Sequence, residues 1–251
     1  MWEYSISFYR NNFELAKKTS EKIKRKTTQL NGITTILVGS YFVDVLVAVP
    51  DIYKDEIREY IIDIIVNIYT TTYKFDYLMR NFNFEVTDDL NMKAFVKALM
   101  VFDLETDRKI VIQKVCNNDN RIVVESFFNF RLGILKTRWD DLVNLVNDNV
   151  MYLMSKDTFI EFIKFLVSNL DSKCDFVCIK EENGDFCICD KEGKEIKGES
   201  DDGEVVNEIF LITTLISLNP KKIRIDTKYN LRDGALSLLY ELFNNRVEIF
   251  K

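Results

Sequence analysis

The chain has 251 residues, of which 47% are hydrophobic, 29% charged and 13% aromatic, enough apolar material for a packed core and incompatible with a disordered or fibrous protein. Its 34 basic and 40 acidic residues leave a net charge of −6, which opposes non-specific binding to nucleic acid or anionic lipid. Histidine is absent, which removes the commonest general base, the Ser–His and Cys–His nucleophile pairs and the commonest metal ligand.

Residues 2–9 alternate Trp2, Tyr4, Ile6 and Phe8 against Glu3, Ser5 and Ser7, the period of a half-buried strand. Asn11 to about Leu30 uses Lys, Glu, Ala and Leu and is expected to be an amphipathic helix. Ile33–Val38 and Phe42–Val49 are two strands turning at Gly39-Ser40, so the first 50 residues form a β-α-β-β unit. Asp51 is expected to cap the next helix with its carboxylate. That helix covers residues 51–80, with Ile57, Ile61, Ile64, Ile65, Ile68 and Tyr69 at spacings of three and four. Further helical runs follow over 91–116, from Ser126 through Val146, and from Asp157 through Val167, making the middle of the chain helical.

Beyond Leu170 the texture changes. Asp175–Glu181 and Asp185–Asp190 are strands joined by Asn183-Gly184, a strong hairpin signal because both turn positions need positive φ. A turn at Glu192-Gly193 leads to a short strand near Glu195, followed by an acidic loop over Gly198–Glu204. Helices at Val205–Leu218 and Leu231–Asn244 flank a strand at Lys222–Thr227, and Val247–Phe250 is a terminal strand. Strand, helix and strand of this size imply a right-handed parallel crossover. The expected class is α+β: a β-α-β-β unit over 1–50, a helical bundle over 51–171, and a C-terminal mixed α/β unit with a β-hairpin and a β-α-β crossover over 172–251.

The N-terminus has no basic and apolar succession of a signal peptide, and Gly39, Ser40 and Asp44 interrupt the most apolar stretch, so neither a targeting segment nor a membrane span is expected. The five cysteines are an odd number in a core-rich chain, as for reduced thiols in the cytoplasm. Pairing across Asn183-Gly184 sets Cys178 opposite Cys189 and brings Cys178, Cys187 and Cys189 to one face, with Cys174 joining them if the strand runs straight back. Such thiols could hold zinc, but C-x3-C and C-x-C are not knuckle spacings, and small apolar filling of a buried face is the simpler reading. The run Lys17, Lys18, Lys22, Lys24, Arg25 and Lys26 lies on the first helix, where it is most simply a solvated face, or else a contact for phosphates or an acidic partner. Glu199, Asp201, Asp202 and Glu204 lack the order of a calcium loop. Asp103, Glu105, Asp107, Asp140 and Asp141 read as exposed helix-surface charges. No phosphate loop, dinucleotide fingerprint or nucleophile elbow occurs, so no cofactor is expected.

From about Ala94 onward the chain resembles the YtxC-like sporulation proteins of endospore-forming bacteria. The resemblance is carried by Lys97-Ala98-Leu99 with Phe102-Asp103, by Phe127 and Phe130-Arg131-Leu132, and by Phe159-Ile160-Glu161-Phe162-Ile163-Lys164 with Phe165. Asp190-Lys191-Glu192-Gly193-Lys194-Glu195-Ile196, Leu211–Ile216, Pro220-Lys221-Lys222-Ile223 and Asn245-Arg246-Val247-Glu248 continue it. It implies a cytoplasmic protein of a sporulating cell with no assigned reaction. Two departures stand out: similar proteins lack cysteines at Cys178, Cys187 and Cys189, and Asp226 stands where they carry a histidine. The expectation is therefore a non-enzymatic interaction or regulatory protein with a protein partner. The basic helix and the acidic loop are its contact elements, and their opposite charges also allow self-association. The alternative is an enzyme or small-ligand protein with a site between the helical bundle and the C-terminal sheet, where Asp226 and Arg232 stand at a strand end and the next helix start.

Overall fold

The computed structural model describes residues 1–84, 90–117, 120–153, 155–182, 185–196, 208–226 and 233–250. In chain order, β1 (Trp2–Tyr9), α1 (Phe13–Gln29), β2 (Ile33–Val38) and β3 (Phe42–Val49) form the expected β-α-β-β unit. The Asp51 carboxylate caps nothing. It pairs instead with the Met1 ammonium at 2.9 Å, and Asp51–Tyr53 is a 3₁₀ turn ahead of α2 (Lys54–Ile68). A π-helical turn at Tyr69–Tyr73 then leads into α3 (Lys74–Asn81).

The run expected over 91–116 is two helices, α4 (Leu90–Val101) and α5 (Leu104–Val115). Asp103 breaks it by taking φ +56°, the left-handed region in which Asp is one of the few tolerated side chains. A short strand absent from the sequence reading, β4 (Arg121–Val123), precedes α6 (Val124–Arg131), α7 (Gly133–Asp148), α8 (Val150–Leu153) and α9 (Lys156–Ser168). The chain finishes with β5 (Phe176–Glu182), β6 (Asp185–Cys189), α10 (Glu208–Leu218), β7 (Lys222–Asp226), α11 (Asp233–Phe243) and β8 (Val247–Phe250). The α+β class expected from the sequence is the class observed.

The chain divides into two compact units, residues 1–78 with 104–141 and residues 79–103 with 142–251. In the first, a four-stranded sheet runs β2-β3-β1-β4, antiparallel except for the parallel β1–β4 pair. One face presents Trp2, Tyr4, Ile6, Phe8, Val43, Val45, Val47 and Val49 to a core completed by Ile23 of α1, by Ile57, Ile61 and Ile65 of α2, and by Phe127 and Phe128 of α6. Each such fully buried side chain contributes roughly 1.5–3 kcal/mol relative to exposure.

In the second unit a sheet runs β6-β5-β7-β8, with β5, β7 and β8 mutually parallel and β6 antiparallel to β5. The β7-α11-β8 crossover is the expected one. Val177, Ile179, Ile188, Ile223 and Ile225 share its buried face, and Leu211, Ile212 and Leu215 of α10 with Leu238, Leu239 and Leu242 of α11 add to the apolar interior. Phe95 of α4 contacts Phe159 and Phe162 of α9 with ring centroids 5.2 and 6.0 Å apart.

Helix α1 ends where it does because Asn31 takes φ +53° and the Gly32 amide reaches back 2.9 Å to the Thr27 carbonyl, a Schellman closure. Gly32 admits no side chain: a Cβ there would stand 2.5 Å from Val49 Cγ1 and 2.7 Å from the Ala48 carbonyl oxygen. Gly32→Ala is expected to cost about 2–3 kcal/mol by overpacking against backbone. Gly133→Ala, with nothing within 4 Å, should leave the protein as stable or slightly more so. Urea unfolding of the two variants checks both.

Candidate functional site

The π-turn carries one more residue per turn than the helix around it, and so rotates everything after it. Continued α-periodicity from Ile61, Ile65 and Ile68 would bring Phe75 inside. Instead Phe75 is 45% exposed and Lys74 is fully buried. The Lys74 ammonium donates to Asp107 Oδ2 at 2.8 Å, and the side-chain exposures of the two are 0% and 1%. Trp139 Nε1 donates to the same oxygen at 3.0 Å, and Arg138 Nε lies 3.5 Å from Oδ1. Asp107, read from the sequence as an exposed surface charge, is therefore a buried acceptor. A carboxylate can live there because three donors replace its water shell.

One helical turn earlier a second polar group lies inside. Tyr69 Oη donates to the Val124 carbonyl at 2.9 Å, and its ring lies against Phe127 and Phe128. Glu125, 7% exposed, accepts from Asn12 Nδ2 at 2.6 Å through Oε1. Its Oε2 and the Tyr73 hydroxyl have no hydrogen-bond partner among the described residues. Burial, and next the Glu125 charge, pushes the Tyr73 phenol well above its ordinary range. Burial and then Tyr73 and Glu125 do the same to Tyr69. Both phenols are thus held neutral, able to donate but not to act as bases.

The residues singled out from sequence fall elsewhere. Lys17, Lys18, Lys22, Lys24 and Arg25 are exposed along α1, while Ala16, Ser20, Ile23 and Thr27 form its buried stripe. Lys26 is half-buried and pairs with Glu56 of α2. On the β5–β6 hairpin the expected register holds: Cys178 faces Cys189 and Lys180 faces Cys187. The Cys187 and Cys189 sulfurs are 3.9 Å apart, and Cys189 is buried. Burial raises the Cys178 thiol, with Lys180 and Arg224 pulling it down. Cys174 precedes β5 rather than lying on it, and Cys116 is exposed. Among the described residues no three His, Cys, Asp or Glu side chains come together as a metal site. Asp226 stands half-buried at the carboxyl end of β7. Arg232, Thr227, the Asn183-Gly184 turn and the Gly198–Glu204 loop lie outside the described residues.

Sequence reasoning missed Lys74, Tyr73 and Glu125, and misplaced Asp107. The available signal was a lysine in a helical stretch whose apolar phase slips by one position.

Lys74→Met is expected to destabilise the protein by about 3–5 kcal/mol, because it strands the Asp107 carboxylate. Lys74→Met with Asp107→Leu should recover much of that loss, and a double-mutant cycle by urea unfolding reads the difference. Burial also pushes Tyr4 from 10.0 up to about 12, against the pull of Arg58. A raised acid stabilises the fold below its unfolded pKa, so stability is expected to fall as pH rises from 10 to 12. Urea midpoints across that window, compared with Tyr4→Phe, test the assignment.

No curated protein and no solved structure matched the chain. A family model, the YtxC-like family, matches residues 52–248, most of the chain, so the protein belongs to the YtxC-like family.

Proposed function

We propose that this protein works by binding a protein partner rather than by catalysing a reaction, in the cytoplasm of cells forming spores. What carries the reading is the outer face of α1, where Lys17, Lys18, Lys22, Lys24 and Arg25 are exposed together on one rigid, well-packed helix. Only Glu14 and Glu21 interrupt that positive stripe on a chain whose net charge is −6. The positive stripe complements a local acidic patch on a protein, whereas an extended polyanion such as nucleic acid or an anionic bilayer also meets the rest of a molecule of net charge −6. Among the described residues no helix is long and apolar enough to cross a membrane. The internal cation Lys74 is neutralised by Asp107, which supports placing function at the surface.

A second reading has one observation behind it. Asp226 ends the central strand of the parallel trio β5-β7-β8, the position at which open α/β sheets receive small ligands.

Crosslinking capture from sporulating cells, with Lys17→Glu/Lys18→Glu/Lys22→Glu as the control, separates the two. The expected result is a near-stoichiometric acidic partner lost in the triple variant, whose melting temperature stays within about 2 °C of the parent. Retention of the same partner by the triple variant overturns the α1 surface. A turnover or metabolite-induced thermal shift abolished by Asp226→Asn overturns the non-enzymatic reading in favour of the second.

A further inference from the structure

Among the described residues strand β2 ends its sheet, and nothing in its sequence, Ile33-Thr34-Thr35-Ile36-Leu37-Val38, protects that edge. Edge strands of stable monomers are kept short, or carry charge, proline or a bulge. The other three sheet edges among the described residues conform. The β4 edge is three residues long and contains Arg121, β8 is four residues long and contains Glu248, and β6 is met by Glu195 and by the Ile196 amide, which donates to the Ile188 carbonyl at 2.7 Å. By contrast β2 has six residues, no charge, no proline and an unbroken register with β3. Ile33, Leu37 and Val38 are 66%, 58% and 51% exposed, and Tyr41 beside them is 81% exposed.

The hairpin fixes which backbone groups face outward. The Gly39 amide donates to the Phe42 carbonyl at 2.8 Å, so the groups of Leu37, Thr35 and Ile33 turn toward β3. Those of Thr34, Ile36 and Val38 therefore point away from the sheet. We infer that β2 pairs antiparallel with β2 of a second copy of this chain about a two-fold axis at Thr35, joining two four-stranded sheets into one of eight. In that register Thr34 of each copy exchanges hydrogen bonds with Ile36 of the other. Thr35 faces its own equivalent, and Ile33 of each copy meets Leu37 of the other. The two most exposed apolar side chains of the strand thus cover one another on one face, twice over. An isologous interface requires this self-complementarity, and an arbitrary peptide strand would not supply it. The inference is independent of the α1 surface, because it uses the sheet edge and no basic residue.

Sedimentation equilibrium on the whole chain tests it with two variants. Ile33→Lys/Leu37→Lys places like charges opposite each other in this register. Leu37→Lys/Ile33→Glu places opposite charges there. Both variants set a lysine at position 37, rather than a carboxylate, across from Asp44, and all the replaced side chains are exposed, so each variant should keep the parent's circular dichroism spectrum. The parent is expected to be dimeric at about 10 μM and above, the Lys/Lys variant to weaken the dimer by about a hundredfold or more, and the Lys/Glu variant to return to within about tenfold of the parent. A parent that sediments as a monomer at about 100 μM overturns the inference, as does a Lys/Lys variant that still dimerises. A Lys/Glu variant no tighter than Lys/Lys overturns the register.

Discussion

One extra residue in a helix governs the first unit. The π-turn at Tyr69–Tyr73 rotates α3 by about 100° relative to α2. That rotation places Lys74 and Leu78 inside and Phe75 outside. A lysine carried inside must find an anion. Asp107 meets it, and in accepting from Trp139 as well it ties α3, α5 and α7 to one carboxylate. Segments from distant parts of the chain are thereby held in one arrangement. Burying the pair costs desolvation that its Coulomb attraction does little more than offset, so the pair adds little net stability, while either group left alone would be a buried unpaired charge.

The same feature explains what the sequence could and could not disclose. The alternation in Trp2–Tyr9 and in the Ile33–Val49 hairpin is of period two against a single core, and those strands are where the pattern puts them. The Cys178–Cys189 register followed from a two-residue turn and strand parity. Lys74 was invisible because helical periodicity assumes 3.6 residues per turn throughout, and one local departure shifts every later position. Asp107 was read as a surface charge because no buried cation was expected to meet it. Strand β4 is three residues long and runs directly into α6, too short for a period to show. The break at Asp103 lacks a glycine or proline, because aspartate can adopt the left-handed conformation unaided.

The interior and exterior of this YtxC-like protein divide their polar residues differently. Inside, Lys74 pairs with Asp107, Tyr69 donates to the Val124 carbonyl, and Glu125 accepts from Asn12. Outside, the charges of α1 lie on a helix whose opposite side is locked by Ile23 and by the Thr27–Thr34 hydroxyl contact at 2.8 Å. The backbone that presents those charges is thus fixed from its buried side, while the long Lys and Arg side chains on it keep their rotamer freedom.

Both tryptophans of the chain, Trp2 and Trp139, are buried in the first unit, and the second contains neither. Indole emission is therefore a private reporter on residues 1–78 and 104–141. Far-ultraviolet dichroism, by contrast, sums the helices of both units. If the two signals melt apart, the fluorescence curve alone identifies which half of the molecule lets go first.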